Sequence, residues 1–93
     1  DPGVGFGKTL ENNLSLMRRL EEFIDPSWGI LLGSSRKSWI DHLCDAPNPM
    51  ERLGGSLASA VSAVSKGAEI IRAHDVQETV QALKVSKVLA LKD

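Results

Sequence analysis

Three short clusters constrain what this 93-residue chain can fold into. They are Asp1-Pro2-Gly3-Val4-Gly5-Phe6-Gly7-Lys8, Gly33-Ser34-Ser35-Arg36-Lys37-Ser38 and Arg72-Ala73-His74-Asp75-Val76. Each joins glycine or small residues to charged groups, and each precedes a stretch of helical periodicity. Such clusters mark the points where a β-strand turns into a helix. In a barrel of parallel strands these turns gather on one rim, where the chemistry sits. The chain therefore reads as one wall of an active site. It opens inside the first cluster and without an initiator Met, which suggests a processed piece or a fragment of a longer protein.

The segments between the clusters support this reading. Thr9 is a fair N-cap for a helix carrying Leu10, Leu14, Met17, Leu20 and Ile24 at helical spacing, with Pro26 as its stop. Ile30-Leu31-Leu32 is a continuous apolar run suited to a strand buried on both faces. A short helix is expected from about Lys37 to Cys44, and a loop over Asp45 to Asn48. Asn48, Pro49 and Glu51 then form an N-cap, a first-turn proline and a capping-box partner for a helix ending at Gly67. Its small residues, Gly54 to Ser56 and Ala58 to Ala60, allow close approach to a neighbouring sheet. Ala68 to Arg72 is a second strand. Asp75 caps a last helix, with Glu78 as its partner, apolar on one side and basic on the other.

The expected order is (β)-α-β-α-α-β-α, an α/β chain of parallel βαβ units. Two whole strands cannot close a barrel, so exposed apolar edges and instability or self-association of the isolated chain are expected.

Composition removes several function classes. A net charge of −1 and the absence of a basic stripe interleaved with aromatics argue against a nucleic-acid partner. No apolar run approaches the roughly 18 residues of a membrane helix, and no signal peptide is visible. The single cysteine excludes an internal disulfide framework and a cysteine-based zinc site. Cys44 shares an apolar helical face with Trp39, Ile40 and Leu43, and is expected to pack in the core. His42 is expected at the surface. No metal-ligand spacing is present.

The first cluster is neither of two familiar loops. Gly7-Lys8-Thr9 ends like a phosphate loop, but Pro2 stands where the first glycine belongs. Gly3 and Gly5 begin a dinucleotide fingerprint, but Lys8 stands at its last glycine. What remains is an aspartate at a strand end, a glycine loop able to take positive φ, and an aromatic ring. Asp1 could accept two N–H bonds from a guanidine-like ring edge. Equally, Asp1 could be a terminal cap and Phe6 a core residue.

In the second cluster Arg36 and Lys37 stand at a helix N-terminus, where the macrodipole disfavours cations. With the hydroxyls of Ser35 and Ser38 they make a site for an anion or a polar ring, or else a solvated basic turn. In the third, Arg72 and His74 share one face of extended chain beside a helix start, which suits a phosphate or pyrophosphate. Asp75 reads as an N-cap, not a base.

Together, Asp-Pro-Gly-x-Gly-Phe-Gly-Lys, Gly-x-Ser-Arg-Lys-Ser, Glu-Arg-Leu-Gly-Gly-Ser-Leu-Ala and Arg-x-His-Asp-Val-x-Glu resemble the dihydropteroate synthase family of folate biosynthesis, in the same order and over the whole chain. The resemblance implies that residues 1–93 are the last three βα units of a pterin-binding (β/α)8 TIM barrel, incomplete on their own. It implies condensation of 6-hydroxymethyl-7,8-dihydropterin pyrophosphate with p-aminobenzoate, releasing pyrophosphate with Mg²⁺. Asp1, Gly33 and Lys37 would meet the pterin. Phe6, Arg36 and Ser38 would border p-aminobenzoate, and Arg72 and His74 would hold pyrophosphate.

The family's main Mg²⁺ ligand, and further pterin contacts, would lie in an N-terminal part not seen here. The resemblance further implies a full-length homodimer, sulfonamide binding, no nucleic-acid or membrane partner, and a cytoplasmic location, or mitochondrial if eukaryotic. The chain alone is expected to be inactive. Two alternatives stand beside this reading: a methyltetrahydrofolate methyltransferase-type pterin-binding domain, and a non-catalytic assembly fragment. The Ser-Arg-Lys and Arg-x-His motifs argue against the first.

Overall fold

The computed structural model describes residues 1–7, 9–25 and 27–91. The expected end of the glycine loop at Lys8 and the helix stop at Pro26 lie outside the described residues. The elements run α1 (Leu10–Arg18), β1 (Leu31–Leu32), α2 (Ser38–Cys44), α3 (Leu53–Ser65), β2 (Ile70–Ile71) and α4 (Val76–Leu89). Single 3-10 turns, Leu20–Phe23 and Pro49–Glu51, follow α1 and precede α3. The alternation expected from sequence is present.

Helix α1 begins as its sequence dictates. Thr9 Oγ1 accepts the Asn12 N–H, Glu11 stands in the first turn and Arg18 in the last. The expected run to Ile24 is interrupted at Arg19, and the chain continues as the tighter 3-10 turn. That turn delivers Leu20, fully buried, into the core. Lys66 Nζ, from the end of α3, donates to the Met17 and Arg18 carbonyls, satisfying acceptors that helix geometry leaves open.

Strands β1 and β2 pair in parallel, with Leu31 opposite Ile70 and Leu32 opposite Ile71. Flanking bonds from Glu69 N to Ile30 O and from Arg72 N to Leu32 O extend the ladder by one residue each way. Leu32 is fully buried, but Leu31 is half-buried and Ile70 is 58% exposed. The expectation that Ile30–Leu32 is buried on both faces fails at Leu31, whose side stays partly open beside exposed Ile70.

Helix α3 departs from its expected start. Asn48 Oδ1 does accept a backbone N–H, from Met50, but it caps the 3-10 turn, and α3 begins only at Leu53, five residues after Asn48. Its end follows the sequence closely. Gly67 takes φ +106°, its N–H bonds Val64 O, and Ala68 N–H reaches back to Ala63 O, the paired bonds of a left-handed helix stop. The positive φ favours glycine there, and a Cβ would also press on the terminal methyl of half-exposed Ile24.

The core gathers Val4, Met17, Leu20, Ile30, Leu32, Trp39, Ile40, Ala63 and Ala68. Each fully buried leucine contributes on the order of 2 kcal/mol. Cys44 is not among them. It is exposed at the last position of α2, and Leu43 is 54% exposed. The apolar face of α2 runs out over an open cleft of about 350 Å³ between α1 and α3. On α4 only Thr79 is buried; Val80, Val85, Val88 and Leu89 are exposed, as is Leu91 just beyond it.

Candidate functional site

The loops after β1 and β2 lie side by side because their strands are neighbours. In the first, Arg36 adopts φ +56°, a left-handed conformation that costs a non-glycine residue about 1 kcal/mol or more. Three contacts hold it there. Its N–H donates to Ser56 Oγ (2.8 Å), its carbonyl accepts from Arg52 Nη1 (2.8 Å), and its guanidinium donates twice to Asp75. The hydrogen bond from Arg36 is the main reason the Asp75 carboxyl lies below its ordinary pKa, against an opposing desolvation effect; the charges of Arg36 and His74 add to the lowering.

Asp75 precedes α4 as expected, but its side chain makes no cap bond. The expected capping role is corrected: both oxygens are committed to Arg36. The cation that seemed misplaced beside a helix N-terminus is thus compensated across the loop gap. Ser35 makes a second link. Its Oγ meets the His74 backbone nitrogen at 3.2 Å and Nδ1 at 3.0 Å.

Lys37 joins the second cluster to the first. Its Nζ lies 2.5 Å from Val4 O and 4.2 Å from the centroid of the Phe6 ring. Phe6 is 64% exposed, so the reading of it as a core residue is overturned. The glycine loop takes positive φ at Gly3, Gly5 and Gly7, as its composition predicts. Asp1 Oδ1 accepts the Gly3 N–H at 2.8 Å, and Oδ2 stands 3.7 Å from Arg72 Nη2. The Arg72 guanidinium lies over Gly33, where a Cβ would come within 2.8 Å of Cζ.

The structure therefore brings Asp1, Arg72 and Gly33 together, and separately Phe6 with Lys37. Arg36 and His74 meet through the paired loops, and Ser38 opens α2 as an exposed residue.

Two supporting residues escaped the sequence reading. Asn13, 4% exposed, accepts the Gly5 N–H at 2.8 Å and so fixes the glycine loop on α1. A polar residue on the Leu10, Leu14, Met17 stripe was the available signal. Arg52, 8% exposed, donates to the carbonyls of Ala46, Pro47 and Arg36. Nothing in its sequence setting announced burial.

These residues do not form a Mg²⁺ site. Mg²⁺ asks for several oxygen ligands in octahedral array. Among the described residues no group of three His, Cys, Asp or Glu gathers, and the Asp1 carboxylate already faces a guanidinium. No described helix is long and apolar enough to cross a membrane.

A parallel α/β ribbon with Arg36, Lys37, Arg72, His74 and Asp75 gathered in the loops after its strands defines the class. Residues 1–74 match the family model described as pterin binding enzyme, and the chain belongs to that family. Over 85 residues it is 55% identical to dihydropteroate synthase of Escherichia coli K12, covering 91% of this chain and 30% of that protein. It superposes on the Xanthomonas albilineans dihydropteroate synthase structure with 4-aminobenzoic acid at TM-score 0.92, with 39% identity, 99% of this chain and 34% of that one. The Thermus thermophilus dihydropteroate synthase complex with 6HMPPP gives TM-score 0.90, with 45% identity, 96% of this chain and 36% of that one. The chain spans about a third of the length of these relatives.

Proposed function

We propose that this chain supplies one wall of a dihydropteroate synthase active site, as the last three βα units of a (β/α)8 barrel. The observation that carries the proposal is the convergence of three loops, the glycine loop and the two that follow β1 and β2: Arg72 beside Asp1 and Gly33, His74 tied to the Arg36 loop, and Lys37 against the glycine loop.

The chemistry accounts for the residue types. In the condensation a C–O bond from the pterin methylene to pyrophosphate breaks, and a C–N bond to the aminobenzoate amine forms as that amine loses a proton. Positive charge develops on the methylene while negative charge leaves, so fixed donors at the leaving group lower the barrier. Arg72 and His74 supply them. Asp1, Lys37 and the close backbone at Gly33 orient the pterin. Phe6, Arg36 and Ser38 border the aminobenzoate, whose neutral aniline needs orientation more than a strong base. The ligands for Mg²⁺ fall outside these 93 residues, as do further pterin contacts. A homodimer of the whole protein acting in the cytoplasm completes the reading.

The test is complementation. The purified chain alone should release no pyrophosphate from the two substrates. Supplied with, or fused to, the part of the E. coli enzyme outside the match, it should form dihydropteroate. A folded fusion that binds neither substrate would refute the proposal.

A further inference from the structure

Ser35 holds one oxygen against two atoms of a single residue 39 positions away. The backbone N–H of His74 can only donate, so Ser35 Oγ accepts there. A serine hydroxyl has one proton to give and a second lone pair to offer. If it gives that proton to Nδ1, the neutral imidazole must carry its own on Nε2. If the ring is protonated, Nδ1–H donates to the second lone pair and Nε2 still carries a proton. A neutral Nδ1–H ring could also donate to that lone pair, but it would leave the Ser35 hydroxyl proton with no acceptor among the described residues, so the contact favours Nε2 as the donor. His74 is exposed and Ser35 half-buried, so the contact anchors one edge of the ring and leaves the residue accessible to ligand. A phosphate oxygen only accepts hydrogen bonds, and the opposite tautomer would turn a lone pair toward it.

Building on the pyrophosphate reading above, we propose that Ser35 is a positioning residue that fixes His74 as the Nε2–H tautomer, a standing donor to a leaving phosphate oxygen.

The tautomer is read from imidazole nitrogen-15 shifts of the chain at about pH 8, above the usual histidine pKa. The chain has two histidines, and exposed His42, assigned with His42→Gln, is the internal reference. His74 should show a bare Nδ1 and a protonated Nε2. Ser35→Ala should return it to the mixture seen for His42, and Ser35→Thr, which keeps the hydroxyl, should restore it. The same spectra on the E. coli fusion decide the matter if a variant of the isolated chain unfolds. A wild-type His74 with the mixture of His42, or no change in Ser35→Ala, overturns the proposal. Inorganic pyrophosphate should then shift His74 Nε2 and leave His42 unmoved. A fixed tautomer with no pyrophosphate response keeps the positioning contact and rejects the ligand.

Discussion

The guanidinium of Arg36 grips the carboxylate of Asp75 with two bonds, Nη2 to Oδ1 at 2.8 Å and Nε to Oδ2 at 3.2 Å. They tie the loop after β1 to the residue that opens α4. Both side chains are about four-fifths shielded from solvent, which limits screening by water and salt. Bidentate geometry fixes orientation as well as distance, and it holds Arg36 in its left-handed conformation.

The pair makes stability depend on acid. Because Arg36 lowers the Asp75 pKa in the folded chain, folding is favoured wherever the carboxylate is charged. That contribution is complete above the unfolded value of about 4 and is lost as pH falls through the lower folded value. Asp75→Asn should therefore melt below wild type at pH 7, and the gap should close as pH falls toward about 2. Parallel melting curves at constant ionic strength check this. A gap independent of pH would mean that the pair contributes nothing through ionisation.

Arg52 should matter more for folding than its place in a turn suggests. Removing its guanidinium leaves the Ala46, Pro47 and Arg36 carbonyls without a shared donor. Arg52→Ala should cost about 3 kcal/mol, the scale of a few lost buried hydrogen bonds. Arg52→Lys should recover only part of this, since one ammonium cannot match a planar fork reaching three acceptors. Urea melts of the three proteins measure it.

Two glycines should separate stability from function. A Cβ at Gly55 would collide with Ile40 Cγ2, a branched side chain that is 2% exposed and packed in the core. Gly55→Ala should cost about 1–3 kcal/mol by overpacking. A Cβ at Gly33 meets the mobile end of Arg72, which can swing into solvent. Gly33→Ala should leave the melting temperature nearly unchanged. In the fused enzyme it should weaken inhibition by pyrophosphate about tenfold, one lost charge-assisted contact.

What the sequence made legible follows from how local each signal is. Thr9, Gly67 and the glycine loop act within a few residues, and each behaves as its pattern predicts. Asn48 carries the pattern of a cap and caps the 3-10 turn, while Arg52, between that turn and α3, turns inward to three carbonyls that no local pattern signals. Asp75 carried the local pattern of an N-cap, and a guanidinium 39 residues away outcompeted the backbone N–H groups. Cys44 lay on an apolar stripe, but burial needs a partner surface, and α2 ends before one arrives. Residue types named the candidate site. The contacts that hold it, Asn13 to Gly5 and Ser35 to His74, cross between elements and leave no spacing to read.

Lys37 gives the most discriminating prediction, because its stem and its charge do different work. The ammonium bonds Val4 O and sits over Phe6, while the stem passes close to Gly5, where a Cβ would lie 2.6 Å from Lys37 Cδ. Lys37→Met keeps the stem and loses the charge. Lys37→Arg keeps the charge but must fit a broad planar head where a compact ammonium reaches one carbonyl. If charge alone served the pterin, arginine would restore binding. The geometry predicts that it does not: in the fused enzyme both variants should raise KM for the pterin substrate by about tenfold, the effect of losing one directed contact. Lys37→Met should also lower the melting temperature, since the Val4 carbonyl loses a charged donor and Phe6 loses its cation. Full recovery of KM in Lys37→Arg would show that the residue acts only as a positive charge.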